Sequence, residues 1–285
     1  MSQFVLERTL GRIRTLPSPS VGQFGPDHTV VEVITPAEWR DADPFILLMD
    51  DRVEGRLRAG PHPHAGFETV SFLVHGELGA ENQAGGTLSP GDVEWTTAGS
   101  GIVHGPDRPI DGSFRLLQLW LTLPKHERWT EPDHQLVPGG SALVRREPGA
   151  EVRVYSGTSG AVTSPTRNRV PVNLVDVRLE PGAEVTEVVP AAYNGFLYVI
   201  EGEVSVGPDQ QRLVPGQIGW LNRVSEGSDT TLRLTNRAAV PLRVLFYAGE
   251  RQNTPIAWYG PFIGDTRADI ARSFERYQAG TFRRI

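Results

Sequence analysis

The chain contains no cysteine. A disulfide framework, a thiolate metal site and a cysteine nucleophile are thereby excluded, and any metal must be held by nitrogen and oxygen. Long hydrophobic runs are also missing. The longest, at 44–49 and 116–123, fall far short of the ~20 residues that cross a bilayer, so no membrane association is expected. Residues 1–16 mix Glu7, Arg8, Arg12 and Arg14 among short apolar stretches and lack the continuous apolar core of a secretory signal, which makes a cytoplasmic location the expectation. Nor is there an excess of positive charge. With a formal net charge of -6 and no dense Lys/Arg tract, the chain offers phosphate backbones little attraction, and direct nucleic-acid binding is not expected.

What is present is the composition of a soluble globular protein, 39% hydrophobic and 22% charged, in 285 residues that suffice for two domains. The 31 glycines and 23 prolines separate brief runs of Val, Ile, Leu, Phe and Trp. This is the pattern of many short strands and predicts an all-β sandwich or barrel. Helical spacing is clear only near the end, where Ala268, Ile270, Ala271, Phe274 and Tyr277 recur every three to four residues behind Asp265 or Thr266 as caps.

The sequence repeats itself. Phe72-Leu73-Val74-His75-Gly76-Glu77-Leu78 matches Tyr198-Val199-Ile200-Glu201-Gly202-Glu203-Val204, and Leu88-Ser89-Pro90-Gly91-Asp92-Val93-Glu94-Trp95 matches Leu213-Val214-Pro215-Gly216-Gln217-Ile218-Gly219-Trp220. The spacing of the blocks agrees to within one residue. Two similar β lobes are predicted, residues 1–132 and 170–285, joined by the turn-rich segment 133–169, with a helix ending the second.

Duplicated lobes share scaffold residues, so chemistry is to be sought where one copy holds polar groups that the other lacks. His62 and His64 fall opposite Val188 and Pro190, Glu68 opposite Asn194, and His104 loosely opposite Asp229. Histidines at i and i+2 of an extended segment project from one face and can share an ion, and a third from a later strand completes one side of a coordination sphere. The bland reading of a His-Pro-His segment is surface decoration; the contrast between copies favours the metal. His28, His75, His126 and His134 read as surface or turn residues, Trp95 and Trp220 as paired core residues, and Asp50-Asp51 as a strand end.

The segments 61–70, 90–95 and 98–104, with 194–204 and the ending Gly260-Pro261-Phe262-Ile263, resemble the pirin family of the cupin superfamily over nearly the whole chain. The resemblance implies a bicupin of two tandem barrel lobes with one mononuclear metal in the first. Iron is the first choice, and manganese, nickel, copper or zinc are compatible with such ligands. His62, His64 and His104 match the family's three histidine ligands, but the family's glutamate, two residues beyond the third, is here Pro106. Glu68 is then either the fourth ligand or an acid orienting a ligand histidine, and Asp107 is a weaker substitute. The implied activity is that of a quercetin 2,3-dioxygenase on a flavonol or similar aromatic or enediol substrate, with Glu68 as proton acceptor if it is not a ligand. The alternative is a non-catalytic, metal-responsive regulator acting through a protein partner.

Overall fold

The computed structural model describes residues 5–79, 86–224, 227 and 229–285. It is built from strands, with one substantial helix, Arg267–Gln278, as the all-β reading expects. Two seven-stranded antiparallel sheets dominate, one in each of two compact lobes. Across the first sheet run Asp133–Val137, Val93–Thr97, Phe67–Gly76, Ile110–Thr122, Phe45–Leu57, His28–Ile34 and Ser20–Val21. Across the second run Leu10–Thr15, Gln217–Leu221, Tyr193–Glu201, Leu242–Glu250, Val172–Leu179, Ala150–Ser156 and Leu143–Glu147. The matched sequence blocks occupy matched places: Val93–Thr97 and Gln217–Leu221 each lie beside the strand that carries the other block.

The lobe boundaries differ from those expected. Residues up to 17 group with 142–251, whereas 252–285 group with 18–141. Both ends are therefore exchanged, because each supplies a strand that the other lobe's sheet needs. Leu10–Thr15 pairs with Gln217–Leu221, and Arg283–Arg284 pairs in parallel with Ile102–His104. The helix accordingly belongs to the first lobe rather than the second. The segment expected to be a connector is largely strand, since Asp133–Val137 extends the first sheet and Leu143–Glu147 and Ala150–Ser156 the second. A short helical turn, 36–42, was not anticipated; its signal was the Thr35–Glu38 capping box behind Pro36.

Each sheet carries the same buried ion-pair device. Asp50 accepts two bonds from Arg115 (2.8 and 2.9 Å) and one from Arg52 (3.2 Å). Asp176 accepts from Arg243 (2.9 Å) and Arg178 (3.3 Å). Asp50 and Asp51 thus sit in the middle of Phe45–Leu57, not at a strand end; Arg115 from the neighbouring strand and Arg52 from the same one offset the burial of Asp50, and the half-buried Asp51 lies 2.7 Å from the His28 ring. Trp95 and Trp220 are both buried, as a duplicated scaffold residue should be.

The second barrel is filled by hydrocarbon, including Val175, Val177, Val185, Val189, Leu197, Leu232 and Phe246. One acid intrudes. Glu187 alternates inward with Val185 and Val189 on Glu184–Val189 and accepts from Ser159 (2.8 Å) and Arg145 (3.2 Å). Burial raises its carboxyl to about 7, against the lowering effect of the Ser159 hydrogen bond and the Arg145 charge. Between about pH 4.5 and 7 the folded state therefore binds more protons here than the unfolded state, and stability falls as pH rises through that window. Glu187→Gln should abolish a penalty on the order of 3 kcal/mol at pH 7.5 while changing little at pH 5. Calorimetric melting at the two pH values checks this; an equal effect at both would contradict it.

Candidate metal centre

The extended backbone of His62–His64 sends both imidazoles to one face, with Pro63 between them pointing away. Antiparallel pairing with Ile102–His104 sets His62 directly opposite His104. The three rings converge, with centroids 4.5 Å apart for His62 and His104, 4.8 Å for His62 and His64, and 4.9 Å for His64 and His104. One nitrogen from each lies within 4.8 Å of the others. Among the described residues no other such group of histidine and carboxylate side chains is present.

The donor set suits a transition metal. His62 holds its Nδ1 2.9 Å from the Gly60 carbonyl, which fixes that nitrogen as the N–H and leaves Nε2 with its lone pair. All three rings are held neutral. Burial lowers the His62 pKa, and burial together with the neighbouring histidines lowers those of His64 and His104, the latter to about 3. Neutral imidazoles are the form that ligates, so little proton release is required on binding. Phe67 and Trp120 pack against His64 at 5.2 and 5.4 Å, which restrains the plane of its ring.

The C-terminal segment holds both ligand-bearing strands in place. Ile263 donates its N–H to the Ala65 carbonyl (3.0 Å), and Ala65 donates to that of Pro261 (3.4 Å). The approach is so close that a Cβ on Gly66, whose φ is +87°, would lie 1.9 Å from the Ile263 oxygen. On the other strand, Arg283 donates to Gly101 (3.1 Å) and Ile285 to Val103 (3.2 Å), while Phe282 covers Gly101, where a Cβ would meet its ring at 2.4 Å. Arg128, fully buried, ties these parts together by donating to the Gly66 carbonyl (3.0 Å), the Thr122 hydroxyl (3.3 Å) and Asp265 (2.9 Å). Asp265 stands immediately before Thr266, the N-cap of the helix.

Glu68 is not brought into the cluster. Gly66 breaks the strand between His64 and Phe67, so side-chain parity does not carry across it. Phe67 then faces His64, and Glu68 projects to the opposite face, where its Oε1 accepts from Thr97 at 2.7 Å. Asp107 is exposed and ion-paired with Arg284. His75 and His126 are at the surface as expected, but His28 is buried against Asp51, and the half-buried His134 is held 2.7 Å from Glu94. The surface reading fails outright for His28 and in part for His134, because in each case the pairing acid lies on another strand. The interior positions of Glu184–Val189 are Val185, Glu187 and Val189; Val188, the expected counterpart of His62, points to solvent.

The face that bears Phe67 and Trp120 also carries polar groups that the sequence reading left unassigned. Thr69 and Ser71 follow Phe67 at alternate positions, and Thr96, Glu94 and Gln118 are their cross-strand partners. Ser71 donates to Gln118 (2.9 Å), and Gln118 donates to Thr69 (2.9 Å). In the second lobe the places of Ser71, Glu94 and Gln118 are taken by Leu197, Gly219 and Phe246. The signal was in the matched blocks, which align Glu94 with Gly219.

Arg128→Lys keeps a charge beside Asp265 but cannot also reach Gly66 and Thr122. Affinity for zinc, measured by competition with a chromophoric chelator, should fall about 10–100-fold with the circular dichroism unchanged. Unaltered affinity would show that the clamp does not position the ligands.

Family models match both halves, "Pirin" over residues 22–121 and "Pirin C-terminal cupin domain" over 174–283. A pirin-like protein of Solanum lycopersicum is 33% identical over 245 residues, covering 85% of this chain and 83% of that protein. Among solved structures, GK1651 of Geobacillus kaustophilus is 40% identical with a TM-score of 0.81, covering 88% of this chain and 99% of that one. Quercetin 2,3-dioxygenase of Acinetobacter baumannii is 28% identical with a TM-score of 0.82, covering 98% and 99%. Two barrel lobes in tandem, a histidine cluster found among the described residues only in the first, and matches along both halves place this chain in the pirin family of bicupins.

Proposed function

We propose that this chain is a metal-dependent dioxygenase that opens flavonols or related enediols, using one ion, iron in the first instance, on His62, His64 and His104. The observation that carries the proposal is the convergence of three neutral imidazoles, two of them buried and one half-buried, in one lobe of a fold that matches a quercetin 2,3-dioxygenase along nearly its full length. An ion bound there supplies a Lewis acid for an enol or phenol oxygen and a redox centre for dioxygen chemistry. The protein's part is positional. The Gly60 carbonyl fixes the His62 tautomer, and Phe67 and Trp120 supply an apolar collar that excludes water and a flat surface against which an aromatic substrate can stack. The ligands carry no charge of their own, which leaves the ion's full positive charge for an anionic oxygen.

Protein loaded with iron, manganese, nickel or copper should consume oxygen with quercetin as substrate, and His104→Ala should lose at least 100-fold of that activity. No uptake with any of the four metals, and none with other enediols, would contradict the reading. Pro106 in place of the family's ligand carboxylate favours a second reading, a metal-responsive regulator with no turnover. That reading expects a protein partner to be retained by metal-loaded protein and released by a chelator, with oxygen uptake absent.

A further inference from the structure

We infer that Glu94 and His134 form the proton-accepting pair of this site, taking the proton from the hydroxyl of the enol substrate. The inference rests on the flavonol or enediol reading above and assigns to it two residues that the ligand cluster does not include.

Placement comes first. Paired residues of an antiparallel ladder point to one face, and alternate residues along a strand share it. Phe67, Thr69 and Ser71 share a face; Trp120 and Thr96 are paired with Thr69, Glu94 is paired with Ser71, and His134 is paired with Thr96. Phe67 and Trp120 touch His64. The face that carries the pair is therefore the face over which the triad sits.

A scaffold role does not account for the pair. A buried carboxylate is costly, and Glu94 is only 3% exposed. Gly219 occupies the matched place in the second lobe, so the barrel closes at this point with no side chain at all. In that lobe Leu197 and Phe246 take the places of Ser71 and Gln118. The acid thus belongs to a polar wall present only in the lobe with the histidines. The depth of the two partners differs in the useful sense: Glu94 is buried on the wall, whereas the His134 side chain, 2.7 Å away, is 23% exposed at the sheet's edge strand.

The chemistry balances as a proton transfer. The enol O–H bond breaks with its electron pair kept on oxygen, the proton is taken up by the Glu94–His134 pair as a carboxylate–imidazolium, and the imidazole, partly open to solvent, returns it to water. Glu68, held by Thr97 on the opposite face, takes no part in this step.

Zinc-loaded protein, which cannot turn the substrate over by redox chemistry, provides the test. Kaempferol bound to the wild-type chain at pH 7 should show the long-wavelength absorption of its 3-olate. With Glu94→Gln or His134→Gln the bound flavonol should absorb as the neutral enol at unchanged zinc content, and kcat/KM of the iron-loaded variants should fall about 10²–10³-fold, chiefly in kcat. A merely structural pair would lower the melting temperature and leave the bound spectrum as in the wild type. The inference is overturned alone if the wild type and both variants bind the olate equally, or if the wild type binds only the neutral enol. Absence of kaempferol binding and of oxygen uptake in the wild type would instead overturn the flavonol reading and the inference with it.

Discussion

Three imidazoles cannot share one small volume while protonated, because each added charge raises the cost of the next and burial removes the water that would screen them. The short strands His62–His64 and Ile102–His104 nonetheless hold their rings within 5 Å centroid to centroid. The arrangement survives by keeping the rings neutral and by external restraint. The restraint comes from the far end of the chain: Pro261 to Ile263 grip the first strand, and Phe282 to Ile285 pair with the second. Arg128 and Asp265 connect the grip to the helix cap. Side-chain convergence in the first lobe is thus a tertiary product, assembled from five separate stretches of sequence, 62–66, 102–104, Arg128, 261–266 and 282–285.

The duplication explains why this can be built on one lobe and not the other. Both sheets keep the strand order, the tryptophan and the carboxylate held by two arginines, which together supply the scaffold. On that common frame the first barrel is lined by hydroxyl, amide and carboxylate groups beside the histidines, and the second is packed with hydrocarbon. Replacing apolar filling by polar groups makes room for chemistry at the expense of stability. Glu187 is the exception in the second barrel, held by Ser159 and Arg145.

Much of this was legible in the sequence. Turn spacing gave the all-β class, the repeated blocks gave two lobes, and the contrast between copies gave His62, His64 and His104, because strand periodicity and lobe asymmetry are local or pairwise properties. Three things were not legible for physical reasons. The exchange of chain ends depends on which sheet edge is vacant, and no local pattern records it. Glu68 was misdirected because a single glycine, Gly66 in the left-handed region, resets the alternation on which the parity argument relied. His28 and His134 looked exposed because their acids, Asp51 and Glu94, lie 23 and 40 residues away and meet them only across a sheet. Glu94 itself was visible in the matched blocks, opposite Gly219.

The account stands on one claim, that an ion is held by three imidazoles and by no carboxylate of the described residues. Metal content per chain, measured by elemental analysis after iron loading and gel filtration, tests it most directly when wild type, His104→Ala and Glu68→Gln are compared. The account predicts one equivalent in the wild type and in Glu68→Gln and none in His104→Ala. Loss of metal from Glu68→Gln, or its retention by His104→Ala, would contradict it.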